Sequence, residues 1–218
     1  MLHRRQFLAG AAALSAAAPL SSAAAATSAS RGFRILRSGE TIGTHTLAAT
    51  RDGSRIDIEI AIEIVVRVLG IPAYRYELTN REVWEGGAIV SVDSRVNDDG
   101  EDHFARVRRD GGMLMIEGSE YTGPAPLGAA TTSYWVSDFL GRTPWISTQT
   151  GTPLAVTASQ AGSAAGGTRW QIRGDFETNL VYDASGEWIG CEFDAGGEVA
   201  SYERVAGSGS FTALWNAA

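Results

Sequence analysis

Between Arg55 and Leu69 the chain alternates almost without interruption: Ile56, Ile58, Ile60, Ile62, Ile64, Val66 and Val68 occupy every second position. That is the side-chain period of a β-strand and not of a helix. The intervening positions begin polar, with Asp57, Glu59 and Glu63, and end apolar, with Val65 and Leu69. One face is therefore expected to be buried throughout, and the other to meet water at its near end and be covered at its far end. At about 3.3 Å per residue such a strand would span roughly 45 Å, longer than a flat strand in one domain usually runs. It is expected to bend, as strands do in barrels and strongly coiled sheets.

The same rhythm extends in both directions. Phe33 to Arg37 and Thr41 to Thr50 read as strands before the isoleucine stretch, with turns at Ser38-Gly39 and Asp52-Gly53. After it come Ala73 to Trp84, Ala88 to Val96, Asp102 to Arg108 and Met113 to Glu117, separated by Gly-, Asn- and Asp-rich turns. Tight turns between successive strands predict a meander of antiparallel neighbours. From Gly118 to Pro153 the alternation stops, in a segment with four prolines and the aromatics Tyr121, Tyr134, Trp135, Phe139 and Trp145. We expect a plug or lid there, with a short helix starting at Thr132 or Ser133 and ending at Gly141. Strands resume at Leu154 to Ser159, Thr168 to Arg173, Phe176 to Tyr182, Glu187 to Phe193 and Glu198 to Val205, and residues 206–218 form a tail that docks Phe211, Leu214 and Trp215.

The expected fold is thus all-β: a strongly bent antiparallel meander forming an open or half barrel, with one short helix or loop plug. A β-sandwich is the alternative.

The first 26 residues have a different character. Arg4, Arg5, Phe7 and Leu8 precede a short Ala/Leu run that ends in small residues, the pattern of a cleaved export signal of the twin-arginine type, with His3 where Ser or Thr is usual. Cleavage is expected after Ala26, leaving residues 27–218 as a single β-rich domain in the periplasm or outside the cell, with no transmembrane segment. Removing two arginines and no acid takes the formal charge from −7 to −9. A surface that acidic argues against a nucleic-acid partner.

All 18 basic residues are arginines. Chemistries that need a lysine, such as a P-loop or a Schiff base, are excluded. The lone cysteine, Cys191, cannot form an intramolecular disulfide and sits in the apolar run WIGCEF, where it reads as a small buried hydrophobe. His45 and His103 lack a second ligand at metal-binding spacing, and the acidic turn Asn97 to Asp102 lacks the pattern of a calcium loop. No metal and no cofactor are expected. Neither a nucleophile elbow nor a dinucleotide fingerprint is present.

Two chemical candidates remain. Glu82, Glu85 and Asp93, with Glu77 close by, fall on neighbouring strands beside Trp84, and paired carboxylates next to an aromatic platform suit glycoside hydrolysis. Cross-strand pairing of these acids with Arg75, Arg81, Arg106 and Arg108 is the simpler explanation. The other candidate is collective: a bent sheet too wide to be filled by its own side chains leaves an apolar cavity. Ile62, Ile64, Val66, Tyr74, Tyr76, Trp84, Trp135 and Trp145 are the expected lining, with the ligand near Val65 to Leu69.

The segments YRYELTNREVWEGG and SRVNDDG, with Ile42-Gly43 ahead of the long strand and the Glu82, Trp84, Gly86 element, resemble an uncharacterised secreted bacterial family. That resemblance runs from Phe33 to Gly118. It implies a curled sheet around a helix or loop plug, similar in architecture to periplasmic lipoprotein carriers, and it supplies no catalytic residues. The favoured reading is non-enzymatic binding or carriage of an apolar, lipid-like ligand. A carboxylate-dependent enzyme acting on an envelope carbohydrate and a structural envelope protein stay open as alternatives, as does the oligomeric state.

Overall fold

The computed structural model describes residues 27–217 apart from 165 and 196, and the export signal read at 1–26 lies outside the described residues. A first meander comprises β1 (Ser28–Arg37), β2 (Glu40–Asp52), β3 (Arg55–Val68), β4 (Ile71–Glu85), β5 (Ala88–Asp98), β6 (Glu101–Asp110), β7 (Met113–Gly118) and β8 (Thr122–Pro126). Within the intervening segment lie three two-residue strands, β9 (Ala130–Thr131), β10 (Trp145–Ile146) and β11 (Pro153–Leu154). The second meander is β12 (Val156–Ala164), β13 (Gly167–Gly174), β14 (Thr178–Tyr182), β15 (Trp188–Asp194) and β16 (Val199–Ser208), followed by helix α1 (Phe211–Asn216).

The two meanders form one sheet of 13 strands, because β16 pairs with β1 in its middle. The outer strands β12 and β8 do not pair with each other, so the barrel is open. β9, β10 and β11 make a separate three-stranded patch within the plug. The helix expected there is a single 3-10 turn, Ser137–Gly141. The plug is tied to the second meander where the Tyr182 hydroxyl donates to the Tyr134 carbonyl at 2.7 Å and Val136 bridges to Glu187.

α1 is held by a buried ion pair. Arg31 donates through Nη2 to Glu187 Oε2 at 2.6 Å and through Nη1 to the Trp188 carbonyl at 2.7 Å. The second Glu187 oxygen accepts from the Thr212 amide at 2.8 Å, just inside α1, and Ser210 caps that helix by accepting from the Ala213 amide. Six residues are too few for a helix to persist alone, so burial of Phe211, Leu214 and Trp215 holds it.

The isoleucine strand organises the interior unevenly. Ile56, Ile58 and Ile60 are buried, whereas Ile62, Ile64 and Val66 on the same face are half-buried. β2 stays alongside β3 only as far as the Gly43–Ile64 pair, and β5 joins β4 only from Tyr76–Asp98. Beyond those points β3 and β4 continue as a two-stranded overhang. The expectation of a covered far end is therefore corrected: Val68 and Ile71 are exposed, and Leu69, at the tip, is 98% exposed with φ 53°. Gly43 permits the last contact of β2, since a Cβ there would collide with the Glu63 carbonyl.

Candidate functional site

Where the isoleucine face turns from buried to half-buried, the interior holds a cavity of ≈ 680 Å³. β3 contributes Ile62, Ile64 and Val66, and β4 contributes Tyr74 and Tyr76. The plug supplies Tyr134 and Gln149, while Phe176, Cys191, Phe193 and Tyr202 close the wall from the second meander. Strand alternation accounts for the first five, which share one face of the β3–β4 hairpin in the register Ile62–Leu78, Ile64–Tyr76 and Val66–Tyr74.

A polar chain runs along the mouth. The Tyr74 hydroxyl donates to Asp98 Oδ1 at 2.8 Å, Gln149 Nε2 donates to Asp98 Oδ2 at 3.1 Å, and the Tyr76 hydroxyl donates to Gln149 Oε1 at 3.4 Å. Burial, and then the neighbouring Asp98 carboxylate, hold both phenols above their ordinary pKa. These groups are hydrogen-bonding neutral species at any physiological pH. Cys191 lies in the wall with its thiol against Thr178 Oγ1 at 3.3 Å, and burial pushes it up to about 12. It is not a thiolate nucleophile. Behind Tyr202 sits His45, whose Nδ1 is 3.3 Å from the Tyr202 hydroxyl and whose burial lowers its pKa to about 3. It is a neutral imidazole packed among Phe33, Trp188 and Tyr202.

Three of the residues expected in an apolar site are elsewhere. Trp84, Trp135 and Trp145 are fully buried at the closed end of the interior. Trp84 stacks on Phe139 at 4.9 Å, Trp135 meets Trp215 edge-on at 5.2 Å, and Trp145 donates to the Phe139 carbonyl at 3.0 Å. Arg142 covers this cluster, 5.1 Å from the Trp215 ring centroid and hydrogen-bonded to the Gly87 carbonyl. An interior filled by its own tryptophans leaves no space for a ligand.

The carboxylates do not converge either. Glu82 points inward and is wholly buried, accepting from Asn80 Nδ2 and Trp84 Nε1, both at 2.8 Å, and from Trp135 Nε1 at 3.4 Å. Glu85 is exposed at the end of β4, 4.0 Å from Arg109. Asp93 lies on the outer face, paired with Arg108 at 2.7 Å. The pleat turns Glu82 inward and Asp93 outward, so these two do not face a common cleft, and Glu85 and Asp93 lie exposed on separate arginine partners.

Asp93 borders a second concavity, ≈ 690 Å³, across the outer face. Small residues such as Ala48 and Ala61 line it, and two of its three arginines are engaged, Arg81 with Asp57 and Arg106 with Glu117. Its larger apolar side chains are few, Leu47, Ile60 and Phe104, whereas the inner cavity is lined mainly by aliphatic and aromatic groups and is the more apolar site. Among the described residues, no group of three or more His, Cys, Asp or Glu side chains is arranged to hold a metal ion.

Sequence reasoning missed Asp98, Gln149 and the wall from the second meander. Asp98 had only a partial signal: counting outward from the Gly86-Gly87 turn sets Asn97 opposite Tyr76, and the bulge between Val83 and Trp84 shifts that pairing to Asp98. The wall had none, because the pairing of β16 with β1 carries no local pattern.

The profile of a family described as a domain of unknown function, DUF6134, matches residues 33–205. The chain belongs to DUF6134. No curated protein matches this DUF6134 chain. Among solved structures it is similar to the crystal structure of a beta-barrel-like protein of the domain of unknown function DUF1849 from Brucella abortus, with 8% sequence identity and a TM-score of 0.55. The likeness covers 84% of this chain and 97% of that one. It shows a shared fold, consistent with the curled antiparallel sheet of this DUF6134 protein.

Proposed function

We propose that this DUF6134 protein is a non-enzymatic binder or carrier that holds one apolar, lipid-like molecule in the open end of its curled sheet. The observation that carries this reading is the ≈ 680 Å³ cavity lined by Ile62, Ile64, Val66, Tyr74 and Tyr76, at the point where β3 outruns its filled core. A space of that size falls within the ~300–1,000 Å³ range of small-molecule sites, and an aliphatic wall with a few polar groups at the mouth suits an amphiphile. The twin-arginine pattern at Arg4 and Arg5 supports periplasmic work for this carrier. No helix among the described residues is long and apolar enough to cross a membrane. Native mass spectrometry of protein isolated from cell envelopes tests the reading. A co-purifying small mass, removed by organic extraction and replaced by a neutral hydrophobic dye in 1:1 ratio, is the expected result. Protein that carries no such mass and binds no dye would refute it.

A further inference from the structure

The phenols that line the cavity are of two kinds. Tyr74 and Tyr76, on β4, commit their protons to Asp98 and Gln149. Tyr134, on the plug, and Tyr202, on β16, are grouped around one indole, their ring centroids 5.1 and 5.6 Å from that of Trp188. Tyr134 is only 9% exposed, and its hydroxyl is within hydrogen-bonding reach of the Cys191 thiol, a weak acceptor. The Tyr202 hydroxyl meets His45 Nδ1 at 3.3 Å, while His45 Nε2 is buried with no partner. An orphaned buried N–H is rarer than an unused lone pair, so the imidazole proton is assigned to Nδ1, where it is donated to the Tyr202 oxygen. The proton of Tyr202 itself is then left for the cavity. Burial holds both phenols well above their ordinary pKa, so both remain donors.

Tyr134 also has φ 38°, a conformation uncommon in residues other than glycine, with its carbonyl accepting from the Tyr182 hydroxyl at 2.7 Å. Backbone strain of this kind clusters at ligand clamps. Resting on the reading of this cavity as a ligand site, we infer that its ligand is a neutral lipid with a carbonyl group, an ester or a ketone, whose oxygen accepts from the Tyr134 and Tyr202 hydroxyls. A carbonyl oxygen is a stronger acceptor than the Cys191 sulfur, and it would satisfy both donors at once. The hydrocarbon chain would lie along Ile62, Ile64 and Val66. Head-group charge is not selected, because the rim carries both signs: Arg37, whose Nε is buried without a partner, stands among Asp98, Glu177 and Asp194.

The test compares 2-octanone with 1-chloroheptane, a chain of the same length without a carbonyl. Each displaces N-phenyl-1-naphthylamine, a neutral dye, from the wild type, Y134F and Y202F, substitutions that remove one hydroxyl and keep the ring. We expect each substitution to weaken 2-octanone about threefold to tenfold, the worth of one hydrogen bond, and to leave 1-chloroheptane within about twofold. The carbonyl stretching band of bound 2-octanone, recorded by infrared spectroscopy, should lie below its position in hexane and move back toward it in both variants. Because Y202F also removes the partner of His45, Y134F, which leaves that pair intact, decides the matter if Y202F does not fold. If either folded variant weakens 2-octanone no more than 1-chloroheptane, or if the band of the wild-type complex sits at its hexane position, the carbonyl inference is overturned and the apolar cavity stands. If neither the dye nor 1-chloroheptane binds the wild type, the cavity reading fails, and this inference with it.

Discussion

The two ends of the interior are built on the same strands and come to opposite results. At the closed end, Ile56 and Ile58 face Trp84 and Glu82 across the β3–β4 pair, and Trp135, Phe139 and Trp215 fill the remaining space. At the open end, Ile64 and Val66 face Tyr76 and Tyr74 with a cavity above them. The strand pattern is identical in both. What differs is the third layer: the plug and α1 supply large aromatics to one end, whereas at the other they supply only Tyr134 and Gln149. An alternating strand thus specifies a face, and the segment laid against that face decides whether it becomes core or binding site.

This contrast can be broken most strongly at the closed end. Trp135→Ala should cost about 3–5 kcal/mol in urea unfolding, since it removes a large packed side chain and one of the donors to Glu82. A loss below about 1 kcal/mol would mean that the closed end is not the filled core described here.

Next in size is an effect of pH. His45 has its folded pKa lowered to about 3 by burial, against about 6.5 unfolded. Below pH 6.5 the unfolded chain takes up a proton that the folded chain refuses, so the unfolded state binds more protons and stability rises with pH. The contribution is full above about 6.5 and is lost as pH falls toward 3, at up to about 1.4 kcal/mol per unit. Comparing the wild type with His45→Gln between pH 7 and pH 4 isolates it from the carboxylates, which the two proteins share. The variant should show the shallower slope.

Glu82→Gln should cost about 1–3 kcal/mol, because one acceptor oxygen becomes an amide donor in a site where Asn80 and two indoles all donate. Ligand binding should be unchanged in that variant, measured by dye titration. An effect on binding with no loss of stability would revive a functional role for this carboxylate. Leu69→Ser at the exposed tip should change stability by less than about 0.5 kcal/mol.

Much of this was legible in the chain. The isoleucine alternation and the Gly-, Asn- and Asp-rich turns placed the strands of the first meander and set Ile62, Ile64, Val66, Tyr74 and Tyr76 on one inward face, because period and turn chemistry are local signals. Long-range decisions were not legible. The tryptophans and the isoleucines are equally apolar in sequence, so nothing local separated Trp84 and Trp135, which fill space, from Ile64, which borders it. The carboxylates looked convergent because they are close along the chain, yet the pleat sends Glu82 inward and Asp93 outward. The bare tip at Val68 to Ile71 follows from where β2 and β5 stop pairing, which alternation within β3 does not encode.

The claim that the open end is a ligand cavity is tested most directly by titrating N-phenyl-1-naphthylamine into the wild type and into Ile64→Trp, a substitution that places an indole in the cavity while leaving the closed end untouched. The wild type should bind one dye molecule. The variant, with stability within about 1 kcal/mol of the wild type, should bind at least tenfold more weakly. Equal binding by the two proteins would contradict the account.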